Sequence, residues 1–452
     1  MKANVHIVPT NRDDRGFVIP IVDIPDSGER RELDIGLATL YHHFGLSNPR
    51  VMDLVLLASS CYMLDKVIPR WFGPDNWTRA FELSLPVSDP AAWTAVADRL
   101  SQTLEFLTGD FWSFSFGPLA AQIYRRPAGS RLRTIHYRRD QEHTVCLFSG
   151  GLDSLSGALD LLAGSPTKHL FLIGHYDYGT AGETQQRLYD GIKPDDAQRA
   201  TLVQIRASHR PPGANEPTTR SRSLVFLALG MYAASILGPQ VPLYAHENGF
   251  VALNLPLTPS RAGSCSTRTM HPFFLAQLTH VLGRLGLQNP IVNPYALKTK
   301  GECITGSLAG DMLRAVAAQS QSCAHPGRRQ YWVRKSANNC GYCYPCLIRR
   351  AGMHAASLDD GRAYGIDVCA GELHSDDEGD SAADLRALLD FVSRDWSVAE
   401  LRHEIIKIAQ IDEASAQAAM AERGIAEIRR LLAEKGNAQL RAAVGTLPRR
   451  HD

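Results

Sequence analysis

The chain has 452 residues, of which 44% are hydrophobic and 21% charged, and its formal net charge is +1 at neutral pH. This length and composition favour a packed protein of about three domains over a disordered chain. The balanced charge speaks against nucleic acid as a direct ligand, and no apolar run reaches the roughly 18 residues that a membrane helix needs. The first residues lack the apolar core of a signal peptide, so we expect a cytoplasmic protein without a membrane partner.

Residues 1–138 are predicted to form a separate α+β domain, which precedes the part of the chain that carries the glycine loop and the cysteine motif. The expected elements are strands over 5–8, 17–22, 81–87 and 110–116 and helices over 51–64 and 90–107. In the last strand, alternation places Trp112, Phe114 and Phe116 on one face. We interpret this aromatic face as core, with a docking face for a partner as the alternative.

The most informative stretch is S-G-G-L-D-S, which follows the apolar run V-C-L-F and precedes a predicted helix over 155–163. A strand, a glycine turn and a helix together build an anion site, because glycine permits positive φ and the first N–H groups of a helix attract negative charge. The loop supplies amides, two hydroxyls and a carboxylate that can hold Mg²⁺, from Ser149, Gly150, Gly151, Leu152, Asp153 and Ser154. It lacks the G-K-[ST] of a Walker A loop, and an ordinary strand–helix turn is the alternative.

Residues 139–360 are predicted to form an α/β domain around this loop. Further strands are expected over 169–174, 202–206 and 242–246, and helices over 183–191 and 224–237. Ligands collect at the carboxyl ends of strands in an open α/β sheet. Asp177 and Tyr178 follow one of these strands and Glu247 follows another, so all three are candidates to contact a substrate.

A polar segment over 261–272, R-A-G-S-C-S-T-R-T-M-H-P, is a second candidate for ligand binding. It contains Arg261, Arg268 and His271, and arginine binds carboxylate and phosphate groups bidentately. A solvated loop is the alternative. Cys265 in the same segment is a candidate thiol nucleophile, although the cysteines outside the metal motif described next are expected to be small buried residues.

Four of the nine cysteines predict a metal site. Cys340, Cys343 and Cys346 form C-x₂-C-x₂-C, and Cys323 lies upstream to complete a tetrahedral set of the kind that binds zinc. A closed site with four cysteines leaves no open coordination position, so we expect structural rather than catalytic Zn²⁺. An iron–sulfur cluster is the alternative.

Residues 361–452 are predicted to form a helical C-terminal extension. An acidic linker over 375–380 precedes periodic helices near 382–394, 398–409 and 413–435. The extension could serve as a lid over a site or as a docking face for a partner. A bundle that only stabilises the protein is the alternative.

The glycine loop resembles the nucleotide loop of the PP-loop ATP pyrophosphatases, and residues 143 to about 356 resemble 7-cyano-7-deazaguanine synthase (QueC) and its relatives. The D-Y-G after the second strand and the C-G-x-C-x-x-C motif both match this family. R-S-L-V-F-L-A-L resembles the family's R-N-x-x-F-L-x-L, with Arg222 and Ser223 at the start of an active-site helix. K-T-K-G-E resembles the family's D-K-A-E, at Lys300 and Glu302.

The resemblance implies a Rossmann-like, HUP-type, doubly wound parallel sheet with ATP, Mg²⁺ and Zn²⁺ as cofactors. It also implies an ATP-dependent C–N ligase that adenylates the carboxylate of 7-carboxy-7-deazaguanine and releases pyrophosphate and AMP. In such an enzyme the loop cradles the phosphates, Asp153 helps to place Mg²⁺, and Lys300 and Arg222 offset the charge. Asp177 would grip the amino groups of the substrate, and Glu247 would orient the nucleophile.

The chain departs from the family at the segments that hold the deazaguanine, and it carries additional N- and C-terminal segments. These features resemble QueC-like proteins of bacterial anti-phage islands, such as the Qat type. That resemblance implies transfer of the acyl group to an amine of a partner protein from the same operon. The alternatives are the ammonia-dependent synthase that forms the nitrile preQ0, another PP-loop enzyme such as a tRNA thiolase, and a nucleotide-binding scaffold without catalysis.

Overall fold

The computed structural model describes residues 1–9, 18–120, 142–177, 180–192, 199–213, 216, 218–255, 257, 268–375, 377 and 380–445. Tyr178, Arg261 and Cys265, to which the sequence analysis assigned roles, lie outside the described residues. Within those ranges, none of the helices combines the length and the apolar character needed to cross a membrane.

Ten strands in the described part of the chain form one sheet. They are β1 (Lys2–Pro9), β2 (Val18–Ile24), β3 (Glu29–Ile35), β4 (Ala80–Val87), β5 (Phe111–Pro118), β6 (His143–Leu147), β7 (His169–Tyr176), β8 (Ala200–Arg210), β9 (Leu243–Tyr244) and β10 (Ile291–Val292). Their order across the sheet is β10-β9-β6-β7-β8-β3-β2-β1-β4-β5. The pairs β1–β2, β2–β3 and β3–β8 are antiparallel, and the remaining pairs are parallel. The predicted α/β class is therefore confirmed as a mixed fold with a large, mostly parallel sheet.

The helices connect and cover these strands. They are α1 (Leu37–Phe44), α2 (Pro49–Val67), α3 (Pro90–Thr94), α4 (Ala97–Thr108), α5 (Leu152–Gly164), α6 (Ala181–Ile192), α7 (Arg222–Leu237), α8 (Gly249–Leu253), α9 (Pro272–Arg284), α10 (Lys300–Thr305), α11 (Gly310–Val316), α12 (Tyr344–Ala355), α13 (Asp380–Ser393), α14 (Val398–Ile408), α15 (Ala414–Lys435) and α16 (Ala438–Val444). The three predicted C-terminal helices correspond to α13, α14 and α15, and α16 follows them.

The central strands are covered on both faces, which explains their continuous apolar runs. Alternate side chains of β6 enter different cores, since Val145 packs with residues of α7 whereas Cys146 packs with residues of α5. The same alternation separates Phe171 from Leu172 in β7. The sheet order reverses between β6 and β9, because β7 and β8 follow β6 on one side whereas β9 and β10 lie on the other. Such a reversal opens a crevice at the carboxyl ends of the strands.

The N-terminal segment, predicted as a domain over 1–138, contributes its strands to the same sheet as the rest of the chain. Strand β3 pairs with β8, with Ile35 opposite Ala207, and so covers backbone groups of β8 that would otherwise form an exposed edge. Helix α2 packs against α7 within one hydrophobic core. Since α7 is buried around most of its circumference, it needs apolar neighbours on both sides, and the N-terminal segment supplies one of them.

The C-terminal helices share a second core with the cysteine motif. This core contains Cys340, Cys343 and Cys346 together with apolar residues from α12 to α16. Helix α15 contacts α8 and α12, and α12 in turn contacts α10. The extension is therefore packed against the same part of the molecule that carries the predicted site.

Candidate functional site

A cavity of about 330 Å³ lies at the carboxyl ends of β6 and β9, where the strand order reverses. Its lining brings together ten residues that the sequence predicted: Ser149, Gly151, Leu152, Asp153, Ser154, Arg222, Ser223, Glu247, Lys300 and Cys323. Residues that sequence reasoning did not single out also line it, among them Thr269, Met270, Gln321 and Ser322. The cavity thus joins segments separated by more than a hundred residues.

The glycine loop occupies one wall of the cavity and leads into α5. Gly150 has a φ of +85°, a conformation that glycine adopts without strain, and Gly151 is the N-cap of the helix. The Ser154 hydroxyl donates to the Gly151 carbonyl at 3.0 Å and lies 3.2 Å from the Ser149 hydroxyl. Amides in the first turn of a helix have no partner within that helix. The wall therefore combines amide and hydroxyl donors in the way an anion requires.

The segment just before the cysteine motif closes over this loop. The Gln321 amide donates to the Gly150 carbonyl at 2.8 Å, and the Leu152 amide donates to the Ser322 hydroxyl at 3.3 Å. The next residue, Cys323, also lines the cavity. The backbone that carries the first cysteine is therefore attached directly to the glycine loop.

Asp153 and Lys300 form a buried ion pair at the same wall, with 2.7 Å between the Lys300 Nζ and the Asp153 Oδ1. The other carboxylate oxygen accepts from the Asn248 backbone amide at 3.1 Å and from its side chain at 2.9 Å. Burial alone would raise the pKa of Asp153, but the Lys300 charge and the hydrogen bonds outweigh it and lower that pKa. Asp153 is therefore ionised and holds the lysine at the loop.

The fold fixes Lys300 at the first position of α10. Thr299 caps this helix, and its side chain and that of Glu302 form a reciprocal capping box. Glu302, which the family resemblance placed beside the site, is thus a helix-capping residue. The Lys300 stem packs against α12 at Gly352, where a Cβ would lie 2.4 Å from the Lys300 Cγ. A glycine at this position makes room for the lysine.

Arg222 enters the cavity from the start of α7 and is held by a buried histidine. Its Nε donates to the His175 Nδ1 at 3.2 Å, and a terminal nitrogen donates to the His175 carbonyl at 3.2 Å. The His175 Nε2 lies 3.0 Å from the Ala207 carbonyl, so this nitrogen carries the proton and Nδ1 is free to accept from Arg222. Burial and the Arg222 charge lower the pKa of His175 to about 3. His175 therefore stays neutral and orients the guanidinium.

Glu247 faces the cavity from the segment after β9. The Thr269 hydroxyl donates to its Oε2 at 3.0 Å. Burial and the Asp153 charge raise the pKa of Glu247 to about 7, although Lys300 and Thr269 act in the opposite direction. This carboxyl group can therefore exchange a proton near neutral pH.

Asp177 lies at the end of β7 but is not among the described residues that line the cavity. Its carboxylate accepts from the Tyr62 hydroxyl at 2.7 Å and pairs with the Lys66 Nζ at 2.9 Å. Both partners belong to α2. The structure therefore shows Asp177 linking the central sheet to the N-terminal segment, and its predicted contact with a substrate stays a prediction.

Arg268 and His271 lie against α4 and are likewise outside the described lining of the cavity. The Arg268 guanidinium donates to the Phe106 carbonyl at 3.0 Å and lies 4.4 Å from the centre of its ring. His271 is the N-cap of α9, where its Nδ1 accepts from the Phe273 amide at 3.2 Å. These contacts give both side chains a packing role, and the two residues between them contribute to the cavity instead.

The four predicted cysteines converge, with the Sγ atoms of Cys323, Cys340, Cys343 and Cys346 all within 4.8 Å of one another. Tetrahedral Zn²⁺ with bonds of about 2.3 Å requires sulfur–sulfur distances of about 3.8 Å, and Cys340 and Cys346 are 3.7 Å apart. The amides of His325 and Cys340 donate to the Cys323 sulfur at 3.2 and 3.4 Å, and such outer hydrogen bonds orient the ligands of a metal. The cluster could therefore hold a zinc-like ion.

The chain was compared with family models, curated proteins and solved structures, and none of them matches it. Its functional assignment depends instead on the chemistry around the cavity and on the family resemblance of the motifs that line it. Those motifs supply a glycine loop with amide and hydroxyl donors and two cationic side chains, and Glu247, outside them, adds a carboxyl group whose pKa is raised to about 7.

Proposed function

We propose that this protein is a QueC-like PP-loop ATP pyrophosphatase that adenylates a carboxylic acid and transfers the acyl group to an amine. The observation that carries the proposal is the meeting of the S-G-G-L-D-S loop, the Asp153–Lys300 pair and Arg222 in one cavity. The cavity lies where the strand order of a mostly parallel sheet reverses, and this position supports a doubly wound nucleotide fold of the HUP type.

ATP would bind with its β- and γ-phosphates on the amides and hydroxyls of the glycine loop. Lys300 and Arg222 supply positive charge to the same cavity, and such preorganised charge favours separation of the phosphates. Mg²⁺ bound to the phosphates would neutralise further charge. The Asp153 Oδ1 pairs with the Lys300 Nζ and the Oδ2 accepts two hydrogen bonds from Asn248, so its contacts favour a role in holding Lys300 over direct ligation of the ion.

In the first chemical step, a carboxylate oxygen of the substrate attacks the α-phosphorus of ATP. The bond from that phosphorus to the bridging oxygen breaks, and pyrophosphate leaves with the electron pair. In the second step, an amine nitrogen attacks the acyl carbon, the carbon–oxygen bond to AMP breaks, and the amine loses a proton. Glu247 is suited to take this proton because its pKa of about 7 leaves a basic fraction at neutral pH.

The acyl substrate would contact the apolar lining of the cavity, to which Phe226, Leu227 and Met270 contribute, and Glu247 and Thr269 line the same cavity. A flat heterocyclic acid such as 7-carboxy-7-deazaguanine suits this combination of apolar surface and hydrogen-bonding groups. The acceptor in our proposal is an amine of a partner protein, because the additional segments resemble those of the anti-phage type. A secondary amide formed in this way cannot lose water to give a nitrile, so the reaction would end at the conjugate.

A mass-spectrometric product assay tests the proposal. Purified protein is incubated with ATP, Mg²⁺ and 7-carboxy-7-deazaguanine, with either ammonium or extract of cells that express the neighbouring genes. AMP release together with a protein that gains the deazaguanine acyl mass would support the proposal. A free nitrile formed from ammonium would identify a preQ0 synthase instead. Absence of AMP under every condition would rule out both activities and favour a scaffold.

A further inference from the structure

Helix α15 of the C-terminal extension reaches the turn that carries Lys300. The Glu427 carboxylate accepts a hydrogen bond from the Thr299 hydroxyl through one oxygen and from the Gly301 amide, at 3.1 Å, through the other. These two donors belong to the residues on either side of Lys300. A single carboxylate therefore binds the side-chain hydroxyl of the residue before the lysine and the backbone amide of the residue after it.

A second side chain of α15 supports the same turn. Arg423, one helical turn before Glu427, donates to the Glu302 carboxylate at 2.6 Å and to the Leu297 carbonyl at 3.0 Å. Glu302 in turn completes the capping box on Thr299. The contact between α15 and α10 is thus polar and directed at the start of α10, and within it Glu427 binds the residues adjacent to Lys300.

The packing around this contact shows how closely the carboxylate approaches. A Cβ at Gly301 would lie 2.3 Å from the Glu427 Oε1, so the glycine of K-T-K-G-E leaves the space that the carboxylate occupies. A Cβ at Gly352 of α12 would collide with the Lys300 stem. The stem of Lys300 is therefore in close contact with α12, and its Nζ pairs with Asp153.

We propose that Glu427 is a positioning residue for Lys300, so that the C-terminal extension forms part of the nucleotide site. This inference deepens the proposed function, because it depends on the role assigned there to Lys300 at the phosphates. A displacement of a charged group by about 1 Å can cost on the order of a hundredfold in rate. Two hydrogen bonds to the residues on either side of the lysine are a direct way to prevent such a displacement.

The test compares three variants of α15. Glu427→Ala removes both hydrogen bonds, whereas Glu427→Gln retains an acceptor for the Gly301 amide and a donor toward the Thr299 hydroxyl. Glu434→Ala is the matched control, because Glu434 lies on the same helix and binds His354 of α12 at 2.8 Å. Two quantities are measured. The first is steady-state pyrophosphate release with ATP, Mg²⁺, 7-carboxy-7-deazaguanine and the amine source, ammonium or cell extract, that supports turnover of the wild type. The second is the rate at which acetic anhydride labels Lys300, read by mass spectrometry.

We expect Glu427→Ala to lower kcat at least about tenfold with little change in the KM for ATP, and to raise the labelling rate of Lys300 relative to other lysines. Glu427→Gln should recover part of the lost kcat and part of the protection of Lys300 from labelling, and Glu434→Ala should resemble the wild type. Unchanged kcat and labelling in Glu427→Ala would overturn the inference, as would an equal effect of Glu434→Ala. If the wild type releases no pyrophosphate, the proposed function fails, whereas a selective rise in Lys300 labelling would still support the positioning role.

Discussion

At the scale of single residues, the site depends on charges that the fold has removed from water and paired. Asp153 and Lys300 are both buried, and each compensates for the cost of burying the other. His175 is kept neutral beside the Arg222 guanidinium, so it accepts a hydrogen bond instead of repelling that charge. Sequence reasoning found the first pair through its motifs but missed His175, because a histidine within an apolar strand carries no local signal of its partner.

Asp153→Asn should destabilise the protein by about 3 kcal/mol, because it leaves the Lys300 charge buried without its counter-charge. Combining Asp153→Asn with Lys300→Met removes both charges and should recover much of the stability. Urea unfolding monitored by tryptophan fluorescence measures these differences. Pyrophosphate release should be lost in Asp153→Asn, in Lys300→Met and in the double variant. Recovered stability in the double variant does not restore the lysine charge at the loop. A double variant that regains activity would contradict the functional role of the pair.

Glu247→Gln should change how stability depends on pH. Burial, helped by the Asp153 charge, raises the pKa of Glu247 from 4.5 to about 7 in the folded chain. The contribution of this group to stability is therefore fully present below about pH 4.5 and is lost as the pH rises through about 7. Between pH 5 and pH 8, the wild type should lose about 2 kcal/mol relative to the Glu247→Gln variant.

Urea unfolding at several pH values measures this difference. Glu142→Gln provides the control, because Glu142 is an exposed carboxylate that pairs with Lys168 at the surface. A constant difference between wild type and Glu247→Gln across this range would contradict the raised pKa.

At the scale of elements, local sequence predicted most helices and strands, and tertiary contacts decided the exceptions. Strand β3 has the sequence E-R-R-E-L-D-I with only Leu33 buried, so its composition gave no strand signal. It is extended because it pairs with β2 and β8 on its two edges. The helix predicted over 90–107 is divided into α3 and α4, because Val96 leaves helical geometry between them. In β3, pairing with the neighbouring strands therefore overrode the local preference of the sequence. At Val96, a change in chain direction overrode the predicted continuous helix.

The close packing of α5 on the cavity wall yields a prediction at this scale. A Cβ at Gly157 would lie 2.1 Å from the His246 ring, so Gly157→Ala should force α5 away from the segment after β9 and cost about 1–3 kcal/mol. Gly164→Ala is the control in the same helix, because the nearest atom to its Cβ would be 3.4 Å away. The control should change stability by less than about 0.5 kcal/mol. Thermal unfolding of both variants measures the difference, and equal effects would contradict this account of the packing.

At the scale of the whole molecule, the three segments predicted from the sequence form one connected structure. The N-terminal strands extend the central sheet through β3 and β8, and the C-terminal helices share a core with the cysteine cluster. The cluster in turn is attached to the glycine loop through Gln321 and Ser322. Stability of the metal site, of the C-terminal helices and of the loop should therefore be coupled.

Cys340→Ser should abolish tight binding of a zinc-like ion and lower the melting temperature, since metal binding to a structural site of this kind contributes several kcal/mol to folding. Because the loop is attached to the segment before Cys323, the affinity for ATP should also fall. Elemental analysis, calorimetry and titration with ATP measure these three effects. Cys369→Ala, which alters a buried cysteine of the same core outside the cluster, should keep the metal. Retention of the ion by Cys340→Ser would exclude the cluster as its site.

The sequence by itself determined the features that depend on short spacings. The S-G-G-L-D-S loop at a strand–helix junction and the C-x₂-C-x₂-C motif each act within a few residues, so their positions on strand, turn and helix follow directly from the chain. The α/β class could be predicted for the same reason, since the apolar periodicity that distinguishes strands from helices is also local. The family resemblance added Arg222 and Lys300, and the structure brings both of them to the cavity.

Only the tertiary structure decided which distant residues serve that cavity. Asn248 completes the environment of Asp153, and Glu427 reaches Lys300 across more than a hundred residues. Asp177, at the end of a strand as predicted, is paired with α2, and Arg268 packs on an aromatic ring. A side chain's partners depend on how sheets and helices pack in three dimensions, and this packing is not encoded in the spacing of any single motif.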